Sequence, residues 1–330
     1  MMKKTLVLIL ITALVLSGCS SAAAPATPQL TRIRLPMGYI ANVQYAPFYI
    51  AVDKGYFAAE GLDIEFDYRI ETDGMKLVGA GELPFAVVSG EQVPIARSQG
   101  LPVVYVLQWF QKFPVAVVSR ADRNIKTPAD LAGKSVGLPG FFGASYVGWR
   151  GLLDTAGLKE SDVKTQDIGF TQAAALQQNK VDAVVGYVNN EPIQLRAAGL
   201  DVNVIPVSDY LSLVANGLIT NEKTIKENPQ LVRGMTRAVL RGLQDALADP
   251  ELAFKTSTKY VEGLGSDPQK DEIQKQVLAE TIKLWQGGVP GRSSVAAWDT
   301  TQQVLIKMGL LKEKIDDDKL FTNQFVDEAK

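Results

Sequence analysis

Residues 38–66, GYIANVQYAPFYIAVDKGYFAAEGLDIEF, constrain the fold more than any other stretch of the chain. The alternating residues 32–35 before it predict a β-strand, and residues 62–68 predict a second one. A helix is predicted to begin near Pro47, because proline is well tolerated in a first helical turn. The loop between strand and helix carries four polar or aromatic side chains: Tyr39, Asn42, Gln44 and Tyr45. Because open α/β sheets bind small molecules beyond the carboxyl ends of their strands, a ligand site is predicted at this loop.

Strand and helix patterns continue to alternate through most of the chain, which indicates parallel sheets flanked by helices. Further strands are predicted at residues 85–88, 103–107, 115–118, 136–138, 163–168, 183–187, 202–206 and 214–220. The chain after residue 220 is predicted to be helical, with segments at residues 229–247, 250–261, 268–285 and 293–308. The pattern as a whole therefore predicts an α/β protein.

The amino terminus has the features of an export signal. Lys3 and Lys4 precede an apolar run at residues 6–16, which is too short to span a bilayer comfortably. The sequence LSGC, which ends at Cys19, resembles a bacterial lipobox. This resemblance implies cleavage before Cys19 and attachment of a lipid that includes palmitate to Cys19. The alternative is an ordinary signal peptide with an accidental cysteine. Cys19 is the only cysteine, so an internal disulfide is excluded. Residues 20–30, rich in small residues and proline, are predicted to form a linker.

Composition excludes several classes of function. The chain has 330 residues, of which 21% are charged, and its net charge is −2. It therefore lacks the excess of basic residues that is typical of nucleic acid binding. It contains no histidine, which removes imidazole as a base, a metal ligand or a member of a Ser-His-Asp triad. Asp182, Glu191 and Asp209 could act as bases, but solvated or capping roles are favoured for isolated carboxylates. Neither a metal site nor a cofactor is predicted.

Aromatic, amide and hydroxyl side chains collect in the loops that follow strands. A ring-shaped ligand can stack on aromatic faces, and amides both donate and accept hydrogen bonds, which suits the edge of a heterocycle. The glycine-rich loop 140–145 precedes a helix whose N–H groups could bind an oxygen-rich group, although a plain turn is the alternative. Core packing of the rings and helix capping by Asn189 or Asn190 are further alternatives. The candidate binding residues are Tyr39, Asn42, Tyr45, Ser89, Glu91, Trp109, Phe142, Ser145, Tyr146, Tyr187, Asn189, Asn190 and Glu191.

The pattern N-V-Q-x-A-P-F-Y-x-A-x-x-x-G-Y-F-x-x-E-G-L-D at residues 42–63 resembles the opening of the NMT1/THI5-like solute-binding proteins. These proteins capture ligands for bacterial ABC importers of thiamine pyrimidine precursors, riboflavin and related compounds. The resemblance implies an α/β, two-lobed periplasmic-binding-protein fold (type II-like), with two mixed sheets, flanking helices and a double-crossover hinge. The implied divisions are a signal peptide (1–18), a lipidated linker (19–30), lobe I (31–118), lobe II (119–213), and the rest of lobe I with the C-terminal helices (214–330).

Within that family, residues 38–44 and 185–191 resemble riboflavin-binding subunits most. The resemblance implies a monomer, lipid-anchored on the extracytoplasmic face of the cell membrane, that binds riboflavin between its lobes and delivers it to ABC permease and ATPase subunits. The flavin rings would lie against tyrosine or tryptophan, and the ribityl hydroxyls against Ser89, Glu91 and the glycine-rich loop. Binding of formylaminopyrimidine or hydroxymethylpyrimidine is the alternative, and binding of an aliphatic sulfonate is less favoured.

The resemblance also raises an enzyme as a rival function. Fungal members of the family make the thiamine pyrimidine; they consume one of their own histidines and carry a cysteine-rich motif. This chain has no histidine, and its single cysteine lies in the signal region. A binding protein without enzymatic activity is therefore expected.

Overall fold

The computed structural model of the protein describes residues 30–329. The predicted signal peptide, Cys19 and nearly all of the linker lie outside these residues. Within them, no helix combines the length and the apolar character that crossing a membrane requires. The described chain is an α/β structure whose strands form separate groups, with helices packed around them.

The first third of the described chain alternates strands with helices. Its elements are, in order, β1 (Thr31–Gly38), α1 (Ala46–Asp53), α2 (Tyr56–Ala59), β2 (Leu62–Ile70), α3 (Glu71–Gly79), β3 (Ala86–Ser89), α4 (Gln92–Ser98) and β4 (Val103–Gln108). β1 and β2 pair in parallel, and their register shifts between Pro36 and Gly38. Proline has no N–H to donate to a ladder, which accounts for an interruption at this point.

The middle of the chain forms a five-stranded mixed sheet. Its elements are β5 (Val115–Arg120), β6 (Ser135–Leu138), α5 (Gly143–Thr155), β7 (Lys164–Asp167), α6 (Gln172–Gln177), β8 (Ala183–Tyr187), α7 (Glu191–Ala197) and β9 (Val202–Pro206). The strand order is β7-β6-β8-β5-β9, and β5 runs antiparallel to both of its neighbours. The predicted lobe boundary between residues 118 and 119 thus falls inside β5, because this whole strand pairs within the middle sheet. The division into lobes otherwise stays a prediction.

The chain then returns to the first group of strands and ends in helices. The remaining elements are β10 (Asn216–Asn221), α8 (Glu222–Glu227), α9 (Pro229–Ala248), α10 (Pro250–Ser257), α11 (Pro268–Trp285), α12 (Val295–Lys307), α13 (Asp317–Leu320) and α14 (Gln324–Asp327). β10 inserts between β3 and β4 and is antiparallel to both. Two chain segments therefore connect the outer group of strands with the middle sheet. The outer group is a parallel pair plus an antiparallel triplet, rather than the single sheet expected for lobe I.

Helix α9 anchors the first part of the core. Its apolar residues recur every three or four positions, which places one face against α1 and α2. The buried residues of that face include Val232, Met235, Val239, Leu243 and Ala246. At the crossing with α1, a Cβ added to Gly242 would overlap the carbonyl oxygen of Pro47. Only glycine permits this approach, and it holds α1, and so the loop before it, against the core.

Candidate functional site

A cavity lies where the loops after β1, β6 and β8 face one another, between the outer strands and the middle sheet. The space free of atoms in this cavity, including the part that is open to solvent at its mouth, is about 910 Å³. Most of the predicted binding residues line it: Tyr39, Asn42, Tyr45, Trp109, Phe142, Ser145, Tyr187, Asn189, Asn190 and Glu191. The structure thus brings them together, and their contact with a ligand stays a prediction.

Three predicted residues do not line the cavity. Ser89 and Glu91 are buried behind its wall, where the Ser89 hydroxyl faces carboxylates instead of capping the following helix. Tyr146, on the first turns of α5, is held against an ion pair: its hydroxyl donates to Glu160 at 3.2 Å and accepts from Arg150 at 2.9 Å. The ribityl contacts expected for Ser89 and Glu91 therefore do not fit the packing of these two residues.

Aromatic rings form the floor of the cavity. Tyr45 stacks on Trp109, with ring centroids 5.2 Å apart and planes inclined by 22°. The Tyr45 hydroxyl donates to the carbonyl oxygen of Met37 at 2.7 Å, which fixes the ring. Tyr187, half-buried at the end of β8, donates from its hydroxyl to Oδ1 of Asn216 at 3.3 Å. Tyr45 and Trp109 are almost fully buried, so packing holds them rigidly behind the cavity surface, whereas the partly buried ring of Tyr187 can present flat apolar surface to a planar ligand.

The start of α7 supplies a buried carboxylate. Oε2 of Glu191 accepts from the backbone N–H of Tyr187 at 2.6 Å, and Oε1 accepts from Nδ2 of Asn190 at 3.0 Å. Oδ1 of Asn190 in turn accepts from Nε2 of Gln194 at 2.8 Å, so both polar atoms of its amide are bonded to side chains of α7. Burial raises the pKa of Glu191, although these donors oppose the shift. Burial, together with the charge of Glu191, raises the pKa of the Tyr39 hydroxyl to about 12, so that hydroxyl stays protonated.

Asn189 has one hydrogen-bonding atom engaged and one without a partner. Its Nδ2 donates to Oγ1 of Thr281 on α11 at 2.7 Å, whereas no described residue pairs with its Oδ1. Thr281 was not among the residues predicted for the site. Buried polar atoms are nearly always hydrogen-bonded in native structures, so an acceptor left over in a cavity wall is a candidate contact for a ligand.

Glu71 is a cavity residue that sequence reasoning missed. It is the first residue of α3, directly after β2, and it accepts from the backbone N–H of Ser89 at 2.9 Å and from its hydroxyl at 2.8 Å. The available signal was its position at the carboxyl end of a strand. Phe170, Gln172 and Asn216 also line the cavity and were not predicted.

The carboxyls around Ser89 share a proton. The hydroxyl of Ser89 lies 2.8 Å from Glu71 Oε2 and 2.5 Å from Glu91 Oε1, yet it carries one hydrogen. Burial, and next the charge of Glu71, raise the pKa of Glu91 to about 8. Burial also raises the pKa of Glu71, but the two donors from Ser89 oppose this. With its pKa raised to about 8, Glu91 is mostly protonated at neutral pH and can donate to the Ser89 hydroxyl, whose own proton is then directed to Glu71.

Two carboxyl side chains of the described part of the chain line the cavity. Among residues 30–329, Glu71 and Glu191 line it, and no lysine or arginine does. Arg150, the cation nearest to the glycine-rich loop in sequence, is paired with Glu160 at 2.8 Å. The same part of the chain contains no cluster of three side chains suited to hold a metal ion. The arrangement suits a neutral or cationic ring that offers hydrogen-bond donors.

Two α/β parts joined by two crossing segments, with a cavity between them, define the fold of the periplasmic binding proteins. The ligand-binding component of an ABC-type import system from Staphylococcus aureus has a TM-score of 0.70 over 91% of this chain and 99% of its own, at 10% identity. The alkanesulfonate-binding protein SsuA from Xanthomonas axonopodis pv. citri, bound to MOPS, has a TM-score of 0.68 over 88% of this chain and 98% of its own, at 14% identity. Because the sequence identity is so low, these similarities establish the fold alone.

The chain belongs to the NMT1/THI5-like family, whose model matches residues 42–253. Riboflavin-binding protein RibY of Chloroflexus aurantiacus is 39% identical over 99% of this chain and 99% of its own length. The formylaminopyrimidine-binding protein of Halalkalibacterium halodurans is 30% identical over 88% and 89%, respectively. A 4-amino-5-hydroxymethyl-2-methylpyrimidine phosphate synthase of Legionella pneumophila is 21% identical over 90% and 92%. The family and fold predicted from the opening motif are confirmed.

Proposed function

We propose that this protein is a lipid-anchored solute-binding subunit of an ABC importer, and that it captures riboflavin in the cavity and delivers it to the permease. One observation carries the proposal: the cavity combines the partly buried rings of Tyr39 and Tyr187 with acceptor oxygens, and none of its described lining residues is a cation. Riboflavin is neutral, has a flat ring system, and offers an imide N–H and several hydroxyl donors. The 39% identity to a riboflavin-binding protein supports the same ligand.

Capture proceeds by closure of the two parts around the ligand. Tyr39, in the loop after β1, and Phe170, beside α6, make an edge-to-face contact across the mouth, with ring centroids 5.1 Å apart. Such a contact forms only when the two parts approach, and it would shield a bound ring from water. Hinge closure of this kind is the usual response of two-lobed binding proteins to their ligands.

A thiamine pyrimidine precursor is the second candidate ligand. The 30% identity to a formylaminopyrimidine-binding protein favours it, and an aminopyrimidine also offers N–H donors and a flat ring. A single small ring would occupy less of the cavity than a flavin. An aliphatic sulfonate is disfavoured, because Glu71 and Glu191 would repel it and no lysine or arginine among the described lining residues would attract it.

The function proposed is binding without a chemical step. The synthases among the relatives are more distant than the binding proteins, at 21% identity for the Legionella pneumophila protein. The chain has no histidine, so a reaction that consumes one is excluded. The buried carboxylates of the cavity wall are engaged by Ser89, Tyr187 and Asn190.

The lipid anchor at Cys19 is part of the proposal and lies outside the described residues. Export, cleavage before Cys19 and acylation would place the protein on the extracytoplasmic face of the cell membrane, in reach of a permease with its ATPase. Mass spectrometry of the mature amino-terminal peptide tests this part. A Cys19→Ala variant is expected to leave the membrane fraction; if it stays there, the anchor is elsewhere.

A fluorescence titration of the dialysed soluble protein from Ser20 onward tests the ligand. Riboflavin and formylaminopyrimidine are added separately. Saturable quenching of flavin emission at submicromolar concentrations is the result expected, because a ring stacked on tyrosine or tryptophan loses its emission. Tight binding of the pyrimidine with no flavin response would replace riboflavin by a thiamine precursor. Absence of binding to both would overturn the ligand assignment.

A further inference from the structure

The amino terminus of α5 opens into the cavity. Gly143, Ala144 and Ser145 are the first residues of this helix of 13 residues, and all three line the cavity wall. The residue before them, Phe142, has no side-chain oxygen and supplies no cap. The first N–H groups of a helix are unpaired within it, and the helix dipole makes this end positive. Such an end attracts an anion.

A carboxylate of the protein itself lies at this position. A Cβ added to Gly143 would overlap Oε1 of Glu71, so the carboxylate lies against the first residue of α5. Gly143 has φ +67°, a conformation that favours glycine, and a larger residue would push the carboxylate away. Glu71 belongs to α3 and the outer strands, whereas α5 belongs to the middle sheet. The contact thus joins the two parts of the molecule across the cavity.

Glu71 is held in place from behind. The backbone N–H of Ser89 donates to its Oε2 at 2.9 Å, and the Ser89 hydroxyl donates to the same oxygen at 2.8 Å. The Ser89 hydroxyl also lies 2.5 Å from Oε1 of Glu91, and when Glu91 holds a proton the single proton of the hydroxyl is left for Glu71. Two donors of Ser89 therefore engage Oε2 of Glu71, while its Oε1 lies against the first residue of α5. These are the groups that recognise a sulfonate or phosphate in other proteins.

We infer that Glu71 is a resident anion: it occupies an oxyanion site built from the α5 amino terminus and Ser89, and thereby makes the cavity select against anionic ligands. A bound sulfonate or phosphate would have to displace Glu71 from its donors and would still face Glu191. A neutral ring meets neither obstacle. The inference concerns the charge class of the ligand, and it rests on the proposed binding function only in taking riboflavin as the neutral ligand.

Isothermal titration with ethanesulfonate tests the inference directly, because this anion is small enough to reach any part of the cavity. The unmodified protein is expected to show no saturable heat. Glu71→Ala vacates the site and frees the Ser89 donors, so ethanesulfonate affinity is expected to rise by at least about tenfold. Glu71→Gln keeps the shape and removes the charge, and a smaller rise in the same direction is expected. Thermal unfolding of each variant shows that it is folded.

Asp73→Asn is the matched control, because Asp73 is an exposed carboxylate two positions away on the same helix and does not line the cavity. It is expected to leave ethanesulfonate binding undetectable. An equal gain in Asp73→Asn, or no gain in either folded Glu71 variant, would overturn the inference. Riboflavin titration of the unmodified protein is read separately. If riboflavin fails to bind while Glu71→Ala gains the sulfonate, the ligand proposal is wrong and the inference about Glu71 stands.

Discussion

Asn189 donates a hydrogen bond from Nδ2 to Oγ1 of Thr281 at 2.7 Å, across 92 positions of the chain. The hydroxyl of Thr281 donates its own proton to the carbonyl oxygen of Val277 at 2.7 Å, so towards Asn189 it can only accept. The amide of Asn189 is therefore fixed with its nitrogen towards α11 and its oxygen left as an acceptor. Helix α11, from the last third of the chain, thus orients a side chain in the wall of the cavity.

Thr281→Val is expected to weaken riboflavin binding by about three- to tenfold, because the amide of Asn189 loses the acceptor that orients it. Fluorescence titration measures the change. Thr301→Val is the control: Thr301 also donates to the carbonyl oxygen four residues before it and accepts from one backbone N–H, that of Val214, but it lies away from the cavity. Both variants should lose stability, and only the first should lose affinity. An equal loss of affinity would assign Thr281 a purely structural role.

Tyr187→Ala is expected to lower riboflavin affinity by at least about tenfold, because it removes an aromatic face and buried apolar area from the cavity wall. Tyr187→Phe keeps the ring and should retain most of the affinity. Tyr210→Ala removes a tyrosine that is exposed outside the cavity and should bind riboflavin normally. Unchanged affinity in Tyr187→Ala would show that riboflavin does not stack on Tyr187.

Glu91→Gln is expected to change how stability depends on pH. The pKa of Glu91 is raised from 4.5 to about 8 in the folded protein, first by burial. Between these values the folded state holds a proton that the unfolded chain has lost, so this residue lowers stability as pH rises from 4.5 to about 8. Glutamine cannot ionise and can still donate to Ser89. The variant should therefore become increasingly more stable than the unmodified protein across this window, and its free energy of unfolding should be higher by about 2–4 kcal/mol at the upper end.

Urea unfolding of the two proteins at several pH values within this window measures the difference. Below the window both chains carry a neutral group at position 91, and their stabilities should converge there. Parallel pH profiles would mean that Glu91 is ionised in the folded protein, and that the proton shared around Ser89 lies elsewhere.

Phe170→Ala is expected to speed riboflavin release by about three- to tenfold, because it removes the edge-to-face contact with Tyr39 at the mouth, worth about 0.5–1.5 kcal/mol. The association rate should change little, since the open form does not contain this contact. Stopped-flow fluorescence measures both rates, with Tyr210→Ala again as the control. An unchanged release rate would show that the Tyr39–Phe170 contact does not hold the closed form together.

Local patterns were enough for the elements and for the place of the cavity. The helix predicted at residues 268–285 has the bounds observed for α11. Tyr39, Trp109 and Tyr187 line one cavity because each lies at the end of a strand or directly after it, and the ends of strands converge in an open α/β architecture. The opening motif at residues 42–63 was likewise sufficient for the family.

The amino-acid sequence by itself determined the class of fold, the family and the loops that form the cavity, because strand and helix periodicity and turn residues act within a few positions of the chain. Only the tertiary structure decided which side chains those loops turn inward. Ser89 is hydrogen-bonded to both Glu71 and Glu91 behind the cavity wall, and Thr281 accepts a hydrogen bond from Asn189. These roles depend on packing between elements 18 to 92 positions apart, where burial and the number of available protons decide each hydrogen bond.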